Sequence, residues 1–254
     1  MTRWNALVLA GSRGGADPVA DAAGVAFKAF APIVGRPMIA WPLAALAASE
    51  RIGAVHVSIN ADAPALPEGA VAERIAPAAS PATSVLAAFE ALGAPLLITT
   101  ADHALLSPAM LAAFLEGAEA SGADVAAGVA RREVVEQAGT TARRTYIRLS
   151  DADWSGCNLF ALATPAAAKA VAFWRRLEAK RKNPMAMARA IGPVAMAAYA
   201  AGRLSTARAE ALIGRATGTR AALVEMRDPL AAHDVDKPED LAFAEARLGE
   251  GGQP

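Results

Sequence analysis

Five apolar residues in a row, Ala6-Leu7-Val8-Leu9-Ala10, run straight into Gly11-Ser12-Arg13-Gly14-Gly15. A strand with no polar alternation has both faces buried, and such strands belong to parallel sheets covered by helices on either side. The glycines that follow let backbone N–H groups face outward and wrap phosphate oxygens. Arg13, and Lys28 beyond it, can neutralise the charge that water would otherwise solvate. An ordinary strand-to-helix turn with surface charges is the plainer alternative. Both readings place an α/β architecture at the start of the chain.

The rest of the chain repeats the alternation. Strands are expected at residues 54–59, 95–100, 124–130, 155–162 and 223–226, with residues 146–149 as one arm of a hairpin. Helices are expected at about 38–49, 84–92, 108–121 and 238–248, and residues 61–81 read as loop with at most one short strand. From 165 to about 214 the pattern is almost wholly helical, broken at Asn183-Pro184 and Gly192-Pro193. Aromatic residues make up only 5% of the 254, and the apolar 54% is mainly alanine, which favours close-packed helices over an all-β sandwich. The expected fold is a Rossmann-like three-layer α/β/α sandwich on a mostly parallel mixed sheet. Residues 1–248 form one domain, 165–220 a helical elaboration within it, and 249–254 a frayed tail.

Lys plus Arg and Asp plus Glu are balanced at 25 each, so no global field favours nucleic acid or an anionic membrane. The apolar stretch after Arg3 is too short for a secretory signal, and no membrane-spanning segment is expected. The single cysteine, Cys157, has no intramolecular partner, which suits a reducing, cytoplasmic compartment. The dinucleotide motif G-x-G-x-x-G and the G-x-x-x-x-G-K-[ST] loop are both absent. Asp102, just past the strand at 95–100, stands at the edge where open α/β sheets bind ligands. It can hold a hard cation such as Mg²⁺ or cap a helix.

Leu9-Ala10-Gly11-Ser12-Arg13-Gly14-Gly15, then Lys28-Ala29, then Gly35-Arg36-Pro37-Met38-Ile39 resemble the successive signatures of the nucleotidyltransferases. These include the sugar-phosphate and methylerythritol-phosphate transferases and the molybdenum-cofactor guanylyltransferases. Ser12 stands where Gly or Ala is usual, and the loop from Arg13 to Lys28 is longer than usual. The resemblance implies that Leu9, Ala10, Gly11, Ser12, Arg13 and Gly14 embrace an NTP, with Arg13 and Lys28 stabilising charge during transfer. It implies that Asp102 binds Mg²⁺ and nucleotide. His233-Asp234-Val235-Asp236-Lys237-Pro238 resembles the late segment that completes the metal site, making Asp236 the second ligand and Asp234 its substitute; Asp236 could equally cap the helix opened by Pro238.

Ser80-Pro81-Ala82-Thr83-Ser84-Val85 resembles a base-contacting stretch without its arginine, so Ser84 either reads a base edge or caps a helix. Gly156-Cys157-Asn158 resembles the acceptor-holding strand of sugar-phosphate transferases, with Arg143, Arg144 and Arg148 before it and Arg175, Arg176, Lys180, Arg181 and Lys182 after it. Gly156, Asn158 and Arg148 are the acceptor-side candidates. The implied activity is Mg²⁺-dependent transfer of NMP from an NTP to a small phosphorylated acceptor, CTP being favoured over GTP and UTP. A molybdenum-cofactor-type guanylyltransferase, a glycosyltransferase of related fold and a non-catalytic nucleotide-binding regulator are the alternatives. The glycosyltransferase lacks its Asp-x-Asp motif in Asp102-His103-Ala104. The oligomeric state is open, a homodimer included.

Overall fold

The computed structural model describes residues 2–12, 14–140, 144–179 and 192–250. In chain order, β1 (Trp4–Leu9) leads to α1 (Pro18–Ala23), a 3-10 turn at Lys28–Phe30, and the small hairpin of β2 (Pro32–Ile33) and β3 (Arg36–Pro37). Next come α2 (Ala40–Ala47), β4 (Ile52–Ser58), β5 (Glu73–Ile75), α3 (Pro81–Leu92), β6 (Leu96–Thr100) and α4 (Pro108–Ser121). Then follow β7 (Val125–Arg131), the single turn α5 (Arg132–Val135), β8 (Ile147–Arg148) and β9 (Asp153–Leu162). The chain closes with α6 (Ala167–Glu178), α7 (Pro193–Ala200), α8 (Thr206–Thr217), β10 (Ala221–Met226) and α9 (Pro238–Glu250).

The main sheet runs β10-β7-β9-β6-β1-β4-β5, with β8 paired to β9. All its pairings are parallel except those of β9, which lies antiparallel between β6 and β7 and against β8. The mixed, mostly parallel three-layer sandwich is therefore the architecture formed. Alternate residues of β1 enter different cores: Trp4, Ala6 and Val8 pack with α2 and α4, and Leu7 packs with Val85 and Phe89 of α3 and Val171 of α6. This is why the strand carries no polar alternation. A third cluster, including Val19, Ile33, Met38, Trp41, Leu105 and Val235, fastens α1, the small hairpin and α9 together.

Reversing β9 has a consequence for function. Its first half pairs with the end of β7, Val129 opposite Gly156 and Arg131 opposite Trp154. Its last residues return alongside β6, Ile98 opposite Phe160. The segment around Gly156 and Asn158 is thereby delivered to the edge at which β1 and β6 finish.

Several elements differ from expectation. Residues 16–27, read as loop, contain α1: the Asp17 carboxylate accepts from the N–H groups of Val19 and Ala20, Pro18 opens the helix, and Gly24 closes it at φ 66°. Six residues are too few to show a period, but the capping residues mark both ends. Helix α3 begins at Pro81 with Ser80 as its cap, so Ser84 is not the cap. In the 165–214 stretch, Gly192 at φ 105° precedes Pro193 as expected, and Gly202 with the cap Ser205 adds a further break before α8. The break at Asn183-Pro184 and residues 251–254 lie outside the described residues. Residues 249 and 250, expected in the tail, belong to α9. No described helix is long and apolar enough to cross a membrane.

Phe114 of α4 is fully buried and faces Gly128 of β7, where an added Cβ would meet the Phe114 ring at 3.4 Å and Leu159 Cβ at 3.2 Å. Phe114→Ala empties this seam and is expected to cost about 3–5 kcal/mol. A urea titration should show a lower midpoint with an unchanged slope.

Candidate active site

The site is assembled at the carboxyl edge of the sheet from distant stretches of the chain. The first is the loop after β1. Its start is tied to both neighbouring strands, since Leu9 O accepts from Ala101 N–H at 2.9 Å and Ala10 N–H donates to Ser58 O at 2.9 Å. Asn60, just past β4, then holds Ser12 from both sides: Ser12 N–H donates to Asn60 Oδ1 at 2.8 Å, and Asn60 Nδ2 donates to Ser12 O at 3.1 Å. Gly14 and Gly15 sit at φ 71° and 103°, backbone that side chains rarely adopt. Gly14 N–H donates to Ser12 Oγ at 3.3 Å. Pro77 crowds Gly11, where a Cβ would meet Pro77 Cβ at 3.2 Å. Ser84 fixes that neighbouring loop, its buried hydroxyl accepting from Ala78 N–H at 2.8 Å. Arg13 lies outside the described residues.

The second stretch is Lys28, and the third is the end of β6 with the segment before α9. Lys28 Nζ donates to Asp102 Oδ2 and to Asp236 Oδ1, each at 2.7 Å. Burial disfavours its ammonium, but the two carboxylates outweigh burial and hold it protonated well above the usual lysine range. Thr100 Oγ1 donates to the other oxygen of Asp102. Val235 N–H donates to Asp102 O at 3.0 Å and so docks the late segment on the strand end. Neither aspartate is a helix cap. Ser107 caps α4, and Asp240 reaches back from α9 to accept from the N–H groups of Asp236 and Lys237 at 3.2 and 3.0 Å.

Arg144 organises the second half of the site. Its guanidinium donates to Asp234 Oδ1 at 2.7 Å and to Asp240 Oδ1 at 2.8 Å, and lies 3.0 Å from His233 Nδ1. Asn158, at φ 49°, donates Nδ2 to Asp234 Oδ2 at 3.1 Å. Asp234 and Asp236, two residues apart, thus have different partners: Asp236 shares Lys28 with Asp102, and Asp234 belongs to Arg144 and Asn158. Gly156 is exposed, with no atom within 4 Å of an added Cβ. Arg148 is exposed on β8 and makes no ion pair among the described residues; Arg144 is the arginine drawn into the cluster.

The MobA-like NTP transferase domain model matches residues 6–218. The chain belongs to this family. It is a nucleotidyltransferase. Among solved structures, a hypothetical transferase from Thermus thermophilus is similar over 94% of this chain and 100% of its own, at 31% identity and TM-score 0.82. The fold is shared with 2-C-methyl-D-erythritol 4-phosphate cytidylyltransferase from the same organism, at 21% identity and TM-score 0.55 over 98% and 100% of the two chains. It is shared also with a CMP:2-keto-3-deoxy-manno-octonic acid synthetase complexed with CTP, at 15% identity and TM-score 0.59 over 98% and 100%. No curated protein sequence matches the chain.

In this transferase the family match ends before Asp234 and Asp236, so the fold, through Val235 and Lys28, is what joins them to the site. Burial, then Asp236 and Asp102, push the Asp234 carboxyl up to about 6. Asp236 is held below the usual carboxylate range, burial being outweighed by the Lys28 hydrogen bond and charge. Asn60, Arg144 and Asp240 were not singled out as site residues. Asp240, three residues after Lys237 at a helix start, carries a capping signature; Arg144 and Asn60 carry no local signal.

Arg144 and Asp240 are both buried, so Arg144→Ala leaves carboxylates without their cation. The expected loss is about 3–5 kcal/mol, against no more than about 0.5 kcal/mol for Arg148→Ala, read from urea midpoints. Burial pulls His103, beside the site, down to about 4 from an ordinary 6.5. The unfolded chain therefore takes up this proton first as pH falls, so the stability contributed by His103 is complete above pH 6.5 and is lost toward pH 4. The melting temperature of His103→Asn should fall less steeply than wild type across that window; parallel profiles would contradict the assignment.

Proposed function

We propose that this nucleotidyltransferase carries out Mg²⁺-dependent transfer of NMP from an NTP, CTP by preference, to a small phosphorylated acceptor with release of pyrophosphate. The observation that carries the reading is the convergence of Asp102 and Asp236 on one cation, the Lys28 ammonium, beside the glycine-rich loop. Two hard carboxylates meeting at a point suit Mg²⁺, which takes one or two protein carboxylates and completes its shell with phosphate and water. Among the described residues no larger set of His, Cys, Asp and Glu side chains could hold a metal. Charge agrees with the fit: among the described residues, Asp102, Asp234, Asp236 and Asp240 are paired only with Lys28 and Arg144. Asp102 and Asp236 would hold the ion, and its chemistry is charge neutralisation on the phosphates of the NTP.

The chain's own groups perform the remaining work. Backbone N–H groups of the loop from Gly11 to Gly14, with Arg13, hold the triphosphate. Lys28, kept protonated by its carboxylates, passes to the phosphate oxygens and neutralises charge as it develops. An acceptor phosphate oxygen attacks the α-phosphorus in line, the bond from that phosphorus to the bridging oxygen breaks, and pyrophosphate leaves. The acceptor phosphate is already anionic, so positioning replaces general-base catalysis. Gly156, Asn158 and Arg148 would receive the acceptor, Asn158 being oriented by Asp234. Preference for CTP is supported by the likeness of Ser84-Val85 and by the fold shared with cytidylyltransferases; Ser84 would act through the loop it holds at Ala78. A cytoplasmic location, with NTP and Mg²⁺ at hand, belongs to the same reading.

Lys28→Ala should lower turnover by at least about 100-fold, assayed well below its own urea midpoint, since removing the cation shared by Asp102 and Asp236 also lowers that midpoint. Pyrophosphate release, followed with the four NTPs and a panel of phosphorylated acceptors, measures that turnover; retained turnover would sink the assignment. Asp102→Asn should abolish the Mg²⁺ dependence of the nucleotide-induced rise in melting temperature, and an unchanged metal response would remove Asp102 as a ligand.

A further inference from the structure

Next to the acceptor-side strand lies a cavity of about 440 Å³ that the catalytic reading does not use. It is closed by the sheet on one side, through Val129, Trp154 and Leu223, and by the elaboration on the other, through Phe173 of α6, Met196 of α7 and Leu212 of α8. Every side chain lining it is apolar or aromatic. Small-molecule sites of this size normally carry a few polar groups that fix orientation. Among the described lining residues the polar atoms are the Trp154 indole N–H, which donates to Thr206 Oγ1, and the hydroxyl of Tyr199 at the exposed rim, so the ligand's polar group belongs outside.

The mouth supplies the missing polarity. Ile147, Tyr199 and Ile213 line the cavity and are also exposed, at 55%, 41% and 41%, which marks where it opens. Three arginines adjoin the lining residues in sequence: Arg203 precedes Leu204, Arg208 precedes Ala209, and Arg215 precedes Ala216. These three are exposed, and none is ion-paired among the described residues. Arg148, opposite Asp153, is on the other face of β8 from the Ile147–Trp154 pair. Two nearby acids are otherwise engaged, Asp151 with the N–H and hydroxyl of Thr206 and Glu210 with Leu223 N–H. Strand β9 links this region to the active site within five residues. Trp154 is in the cavity wall, Gly156 is open above the sheet, and Asn158 is bonded to Asp234.

We infer that the cavity holds the hydrocarbon chain of the acceptor, which is an amphiphilic phosphate: a single alkyl, acyl or isoprenoid chain in the apolar space, its phosphate passing the arginine mouth toward Gly156 and Asn158. The inference deepens the proposed function and rests on its phosphorylated acceptor.

The test is binding of decyl phosphate, butyl phosphate and decanol, each below its aggregation concentration, by calorimetry and by the fluorescence of Trp154. A buried methylene tightens binding about fourfold, the equivalent of ~0.8 kcal/mol, so decyl phosphate should bind at least ten times tighter than butyl phosphate. It should also exceed decanol. Ala209→Trp, which fills the cavity, should erase the chain-length dependence; Ile213→Glu, at the exposed mouth, should do the same without altering the interior. Arg208→Gln with Arg215→Gln should erase the preference of decyl phosphate over decanol. Equal affinity for the two phosphates would overturn the inference, as would chain-length dependence that survives both Ala209→Trp and Ile213→Glu. So would binding to phosphatidylglycerol vesicles without binding of monomeric decyl phosphate, which would make the patch a membrane surface. A melting-temperature rise with Mg²⁺ and NTP, measured on the same samples, separates the two readings: if it persists while decyl phosphate fails to bind, only the cavity assignment falls.

Discussion

One ammonium ion ties the molecule together at its working edge. Lys28 comes from a turn following the first strand, Asp102 from the end of the central strand β6, and Asp236 from the segment before the last helix. Both contacts are 2.7 Å, and the ion pairs span 74 and 208 residues of chain. Three like-charged groups, Asp102, Asp234 and Asp236, could not be gathered at the edge of a sheet without compensating cations, because their repulsion is strong where water is partly excluded. Burial and then that repulsion raise the carboxyl of Asp234, whereas Lys28 outweighs burial and lowers that of Asp236. On the proposed function such a site is poised for exchange: a divalent ion and a polyphosphate would separate the lysine from its carboxylates and give each a new partner.

The fold prepares the exchange by fixing everything around the lysine. Asn60 grips Ser12, Thr100 orients Asp102, Val235 is docked on the strand end, and Asp240 accepts from the N–H groups of Asp236 and Lys237. Arg144 satisfies Asp234, Asp240 and His233 at once, in a position where its side chain is only 8% exposed. Among the described strands of the main sheet, β9 runs against all its neighbours, and its reversal carries the acceptor-side residues and the apolar cavity to the same edge. On the proposed function, nucleotide and acceptor halves of the site would therefore meet by topology, through strands whose packing is decided in the core.

Much of this architecture was legible because buried strands and capped helices write themselves locally. Ala6 to Ala10 and the residues of β6 are apolar on both faces for a reason visible in the sequence, and α4 is bounded by the residues expected, Pro108 and Ser121. Short elements were not: α1 is held by its caps and α5, which has no side-chain cap, by the packing of Val135 rather than by a period. In the site, Lys28, Asp102 and Asp236 were legible through the resemblance of their flanking residues to a family, and the structure brings these three together. Arg144 was one of several arginines before Gly156, and nothing in Arg143-Arg144 or Arg148 distinguishes the one that meets Asp234 from 90 residues away. Asn60 pairs with Ser12 across 48 residues for the same reason. The cavity was hidden because it lies between elements, its walls drawn from β7, β8, β9, β10, α6, α7 and α8.

The central claim is that Lys28 occupies the point at which Asp102 and Asp236 would hold a divalent cation, so that ammonium and metal compete for the same oxygens until nucleotide arrives. Titration of the nucleotide-free protein with Mn²⁺, followed by electron paramagnetic resonance of the unbound ion, measures this competition directly in wild type and in Lys28→Met. Removal of the ammonium should strengthen Mn²⁺ binding at least tenfold, and Asp102→Asn in the Lys28→Met background should abolish the gain. Equal Mn²⁺ affinity in wild type and Lys28→Met would contradict the account.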